Sequence, residues 1–203
     1  DRFLADLEQM APSSAEVGTH AEAKLRAASR ESLTALVQKF DATANGLDAA
    51  ALTALADDLA AVARLLLTEV NLGRHLAEPA DNPAPKVALL DAVLSGKIGA
   101  NALELLRTAV SSRWSEQSDL VDAVEHVARL ALIKRAEVNG DVAEVEDQLF
   151  RFSRVLDAQP RLSTLLGEYG APIDGRVALL DKVLTGANGS VNSTVKALLT
   201  QTV

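Results

Sequence analysis

The sequence predicts an all-α protein of tandem antiparallel helical bundles related by internal duplication, and three observations predict it. Hydrophobic residues make up 48% of the 203 but aromatics only 3%, so the core must be Leu, Val and Ala, an inventory that suits packed helices and serves a β-sandwich poorly. Apolar residues recur at third- and fourth-neighbour spacing along most of the chain. One stretch also occurs twice, as Lys86-Val87-Ala88-Leu89-Leu90-Asp91-Ala92-Val93-Leu94-Ser95-Gly96 and Arg176-Val177-Ala178-Leu179-Leu180-Asp181-Lys182-Val183-Leu184-Thr185-Gly186. Each copy reads as a short amphipathic helix closed by a left-handed glycine turn. The match extends back at the same offset of 90: Arg64-Leu65-Leu66 answers Arg154-Val155-Leu156, Leu72 answers Leu162, Leu76 answers Leu166 and Glu78 answers Glu168. We read this as duplication of a helical unit.

The elements follow in order. Phe3, Leu4, Leu7 and Met10 form one stripe before Pro12-Ser13-Ser14, and Ser13 with Glu16 suggests a capping box opening a polar helix to about Ala28. Leu33, Leu36, Val37 and Phe40 line the next helix, stopped by Asn45-Gly46. Asp48 is placed to cap a longer helix carrying Leu52, Leu55, Leu59, Val62, Leu65 and Leu66. A short helix around Leu72 to Ala77 ends before Pro79, and the Pro-rich stretch to Pro85 turns into the first repeated helix. After Gly99 a helix carries Leu103, Leu106, Val110 and Trp114; Ser118 or Asp119 then caps one holding Val121, Val124, Val127, Leu130 and Leu132, ending near Asn139-Gly140. The order then repeats: a helix from Val142 to Leu156, a short one after Pro160, a turn at Pro172, the second repeated helix, and a last helix from near Ser190. No strand is predicted.

Composition excludes several functions. A formal net charge of -8 disfavours nucleic-acid phosphates or an anionic membrane surface as the main partner. There is no cysteine, hence no disulfide or thiolate metal site. The most apolar run, Leu52 to Leu67, is broken by Asp57, Asp58 and Arg64, so no direct membrane insertion is expected. The chain opens on Asp1 with neither Met nor a signal pattern, which we read as a fragment or processed product.

No catalytic constellation is evident. His20, His75 and His126 stand far apart and in no metal-binding motif; Gly96-Lys97 lacks the rest of a phosphate loop; no nucleophile elbow or calcium loop is present. Asp57-Asp58 and Glu144-Val145-Glu146-Asp147 read as solvated helix faces. Asn188-Gly189-Ser190 and Asn192-Ser193-Thr194 match a glycosylation sequon that carries little weight without a secretory signal. Trp114 reads either as a core residue or as an anchor in a partner groove. No cofactor, metal or catalytic residue is expected.

The succession of elements is more specific than any one motif. Asn139-Gly140-Asp141-Val142-Ala143-Glu144-Val145-Glu146 through Leu156, Pro160-Arg161-Leu162, Leu165-Leu166 and on to Leu184 resembles the N-terminal six-helix bundle of the delta subunit of bacterial F-type ATP synthase, the oligomycin-sensitivity-conferring family. The likeness covers most of residues 30 to 203. Two bundles in place of one resemble the form in which a b-type stalk subunit and delta are fused. The organisation implied is a helical linker at 1–29, the end of a b-like segment; a first bundle at 30–117; and a second at 118–203, incomplete and sharing helix 119–138 with the first. The family's C-terminal glycine signature does not occur before Val203.

What the resemblance implies is a non-catalytic stator on the cytoplasmic face of the bacterial membrane, supporting proton-driven ATP synthesis. It would hold the head by binding N-terminal helices of the alpha subunits, beside a b-type stalk subunit, with no nucleic acid involved. The family's groove, between the first and fifth helices, maps onto Leu33, Leu36, Val37 and Phe40 opposite Leu103, Leu106 and Val110, with Trp114 nearby. In the second unit it maps onto Val124, Val127 and Leu130 opposite Val191 and Val195. The alternative is a helical-repeat adaptor binding amphipathic peptide helices in an unrelated complex.

Overall fold

The structure, a computed structural model, describes residues 27–168, 170–186 and 190–203. The stripe of Phe3, Leu4, Leu7 and Met10, the Ser13–Glu16 pair, His20 and most of the Asn188 sequon lie outside them. Every regular element among the described residues is a helix, ten in all, and no strand occurs among them.

The first five are α1 (Ala27–Ala44), α2 (Ala49–Thr68), α3 (Val70–Ala77), α4 (Ala84–Leu94) and α5 (Ala100–Ser111). Gly46 ends α1 at φ +87, a left-handed conformation that a Cβ would oppose. Asp48 then caps α2, its Oδ1 accepting from the Ala51 N–H at 2.8 Å. Seven residues of α2 are buried, from Leu52 to Leu66. α4 starts with Pro85 inside its first turn, where the missing N–H costs nothing.

The next five are α6 (Gln117–Asn139), α7 (Val142–Ala158), α8 (Pro160–Leu166), α9 (Ile173–Gly186) and α10 (Ser193–Thr202). Each begins within a few residues of its counterpart shifted by 90. Burial keeps the same register. In α4, Lys86, Leu90 and Leu94 are buried; in α9, Arg176, Leu180 and Leu184 are. Leu55, Leu59, Val62, Leu66 and Leu76 are likewise matched by Val145, Leu149, Phe152, Leu156 and Leu166. Spacing of the aliphatic residues alone sets this register, because only one stripe of each helix can leave water.

Three local expectations are corrected. Trp114 is not on α5, which stops at Ser111; the chain turns there, and the indole folds back so that Nε1 donates to the Ala109 carbonyl at 2.7 Å. Its apolar spacing imitates a further helical turn because the ring returns to the same core. Neither Ser118 nor Asp119 is the N-cap of α6: both lie inside its first turn, and Asp119 accepts from Ser29 Oγ at 2.6 Å. The last helix starts at Ser193, not near Ser190, with Asn192 as its cap.

The chain divides into two compact units, Ala21–Arg135 and one that contains Ala136–Val203. In the first, α5 packs on α1, α2 and α4, while α3 lies against α2 and α4. α6 is tied in by Gln117 Nε2 donating to the Leu66 carbonyl at 3.3 Å and by Arg135 Nη1 donating to Thr53 Oγ1 at 2.9 Å. In the second, α7 packs on α8 and α10, and α9 on α8 and α10.

Candidate partner surface

The helices α1 and α5 form a direct seam. Ser32 Oγ donates to the Arg113 carbonyl at 2.6 Å just beyond the end of α5, and Lys39, two turns further along α1, pairs with Glu104 near the start of α5. The two helices therefore run antiparallel, which brings Ala35 level with Thr108. Glu104 has its carboxyl held below the usual range, first by the hydrogen bond from Lys39 and then by that cation's charge. Beside it Arg107 makes two parallel bonds to Asp91 of α4, at 2.9 and 3.0 Å, which raise its pKa.

The apolar residues expected to line the groove are packed inward between the two helices. Leu33, Leu36, Phe40, Leu106 and Val110 are each no more than 3% exposed, Leu103 reaches 9% and Val37 is half-buried. Trp114 is buried too. What faces outward along the seam is a rim of Ala35, Lys39, Glu104 and Thr108, of which Ala35 and Glu104 are exposed and the other two half-buried. Sequence reasoning missed this rim, since it looked for apolar residues. The available signal was a Lys and a Glu on the polar faces of the two helices.

The corresponding helix of the second set is differently placed. Val124, Val127 and Leu130 are buried on α6, and no residue from Asp119 to Ala136 is exposed. Val195 is buried on α10, and Val191, ahead of that helix, is half-buried. His126, on the same α6, is 3% exposed; burial first, then the nearby Arg129, lowers its pKa from 6.5 to about 4.

At the start of α10 a polar cluster closes the second unit. Asn192 caps the helix through Oδ1, which accepts from the Thr194 N–H at 2.8 Å; its Nδ2 donates to Asp141 at 2.8 Å and Glu144 at 3.3 Å. Gln148 accepts from the Asn192 backbone N–H at 2.8 Å. The amide that a sequon would modify is thus already engaged in structure. Glu144, read as part of a solvated face, is a partner in this cluster.

Among the described residues no group of three or more His, Asp or Glu side chains is arranged to hold a metal ion, and no helix is long and apolar enough to cross a membrane. Among the described residues the fold is all-helical, in two successive sets of five helices, one of which presents a seam with a polar rim. Comparison with known proteins gives this class a kinship. No family model matches the chain. Over all 203 residues, however, it is 53% identical to "ATP synthase subunit b-delta" of Mycobacterium sp. (strain KMS), and equally to the protein of that name from Mycobacterium sp. (strain JLS). The match takes in 100% of this chain and 45% of each relative, so the chain spans a little under half the length of the curated proteins it matches. Across these 203 residues the chain is similar to proteins named as b-delta subunits of ATP synthase, which is consistent with the delta-like order of helices.

Proposed function

We propose that this region is a non-catalytic element of the peripheral stalk of an ATP synthase, resisting rotation of the catalytic head. The observation that carries the reading is the 53% identity over all 203 residues to proteins named as b-delta subunits of that complex. The partners would be the N-terminal helices of the alpha subunits and the b-type stalk, and the place of action the cytoplasmic face of the membrane. The matched burial of the two five-helix sets supports their descent from one duplicated unit.

The seam between α1 and α5 is the surface we assign to an alpha-subunit helix. A helix laid along it would meet Ala35 and Thr108, small enough to allow close approach, with the Lys39–Glu104 pair to set its orientation. Favouring this seam is its rim, where Ala35 and Glu104 are exposed, whereas from Asp119 to Ala136 α6 carries only half-buried and buried residues. Such binding holds by contact area rather than chemistry, which is what a stator requires.

Affinity purification of the full-length protein from solubilised membranes tests the reading. The alpha and beta subunits should co-purify in stoichiometric amounts. Recovery of the intact protein without any ATP synthase subunit would refute it.

A further inference from the structure

The short helix α3 is poorly secured by its own residues. It has eight of them, no side-chain N-cap, a glycine in its interior, and only Gly73, Leu76 and Ala77 buried; Val70 is 56% exposed, and Leu67 just before it 57%. By contrast α2 buries seven residues. The chain that follows α3, from Glu78 to Asn82, is exposed throughout. A segment with so few buried apolar contacts lies at the low end of local stability.

One interaction from another helix offsets this. Lys86, at the start of α4, is only 7% exposed, and its Nζ donates to the Glu78 carbonyl at 2.8 Å and the Leu76 carbonyl at 3.3 Å. These carbonyls lie at the end of α3, where no helical N–H remains to satisfy them and a cation suits the dipole. Under α3 the leucines and valines of α2 and α4, Val62, Leu65, Leu66, Leu90, Val93 and Leu94, line an apolar dimple together with Leu72 and Leu76 of α3 itself. The second set repeats the placement: Arg176 is buried ten residues beyond Leu166, as Lys86 is ten beyond Leu76.

We propose that α3 and the turn after it form a strap that opens as a unit while the rest of the bundle stays folded, and that Lys86 is its latch. Opening lifts Leu72 and Leu76 off the dimple and returns the Glu78 and Leu76 carbonyls to water. Lys86 acts here as a positioning residue, through the backbone it holds. Its charge is what matters, because a charge-assisted bond to each carbonyl is stronger than water can replace without loss.

Hydrogen exchange of the full-length protein, followed by mass spectrometry, decides it. In Lys86→Met, of similar length but uncharged, amides of residues 70–78 should exchange roughly tenfold to a hundredfold faster, with α1 and α5 unchanged; Lys86→Arg should stay near the parent rate. An even acceleration throughout the bundle, no acceleration, or equal behaviour of the two variants would overturn the proposal. A measurement on the unsubstituted protein guards against a variant that fails to fold. In sub-denaturing urea the strap amides should open with a weaker urea dependence than those of α1 and α5, and a shared dependence would equally overturn it.

Discussion

His126 gives a prediction whose sign and size follow from its place in α6. Burial leaves its imidazole neutral in the folded chain, with a pKa of about 4 against 6.5 for a free side chain. Above pH 6.5 both folded and unfolded chains carry it neutral, and it makes no difference to stability. As pH falls from 6.5 towards 4, the unfolded chain binds a proton that the folded chain refuses, so stability is lost over that window. At 1.36 kcal/mol per tenfold in proton affinity, the whole window is worth roughly 3 kcal/mol, and about 2 kcal/mol is already gone at pH 5. The assay is urea denaturation of the full-length protein and of His126→Gln at pH 7.5 and pH 5. Carboxylates protonate in both proteins, so the difference between their slopes isolates the histidine. The unsubstituted protein should lose about 2 kcal/mol more than the variant; parallel losses would show that the imidazole is already protonated in the fold, or that it is not buried.

Other perturbations report on local devices. Asp48→Ala removes the side-chain bond to the Ala51 N–H and should cost about 1 kcal/mol in thermal or urea unfolding. Gly73→Ala should cost roughly 1–3 kcal/mol, since a Cβ there would lie 2.8 Å from the Leu66 carbonyl oxygen, which is backbone and cannot swing away; a variant as stable as the parent would place α3 further from α2 than described. Trp114→Phe keeps the apolar contact but leaves the Ala109 carbonyl without its donor, at about 1–2 kcal/mol by denaturation midpoint.

Much of this fold was legible because aliphatic spacing fixes which stripe of a helix is buried. Leu52, Leu55, Leu59 and Leu66 could be placed by counting, and the 90-residue offset carried the same register into Val145, Leu149 and Leu156. Caps were legible where one side chain does the work, as at Asp48, and not where the terminus is held from elsewhere. Asp119 looked like a cap because it stands near a helix start, yet its carboxylate serves Ser29, 90 residues away in sequence. The candidate seam was half legible. Periodicity picks out Leu36 and Leu106 as apolar but cannot say whether they face a partner or one another, because packing two helices together and lining a groove make the same pattern. The Lys39–Glu104 pair and the level of Ala35 with Thr108 depend on helix direction, which no single stretch encodes. Lys86 was the least expected: a lysine on a repeated helix reads as surface until the two carbonyls it meets are in place.

A stator role at this surface requires the seam between α1 and α5 to take a helix from a neighbour. Isothermal titration of the full-length protein with a peptide of the alpha-subunit N-terminus measures this directly, alongside a variant in which both Ala35→Arg and Thr108→Arg crowd the rim and a control with Glu146→Arg on the exposed face of α7. We expect one peptide bound per chain, a loss of affinity of at least about tenfold in the rim variant, equivalent to roughly 1.4 kcal/mol, and none in the control. Binding that survives the crowded rim unchanged would contradict the account.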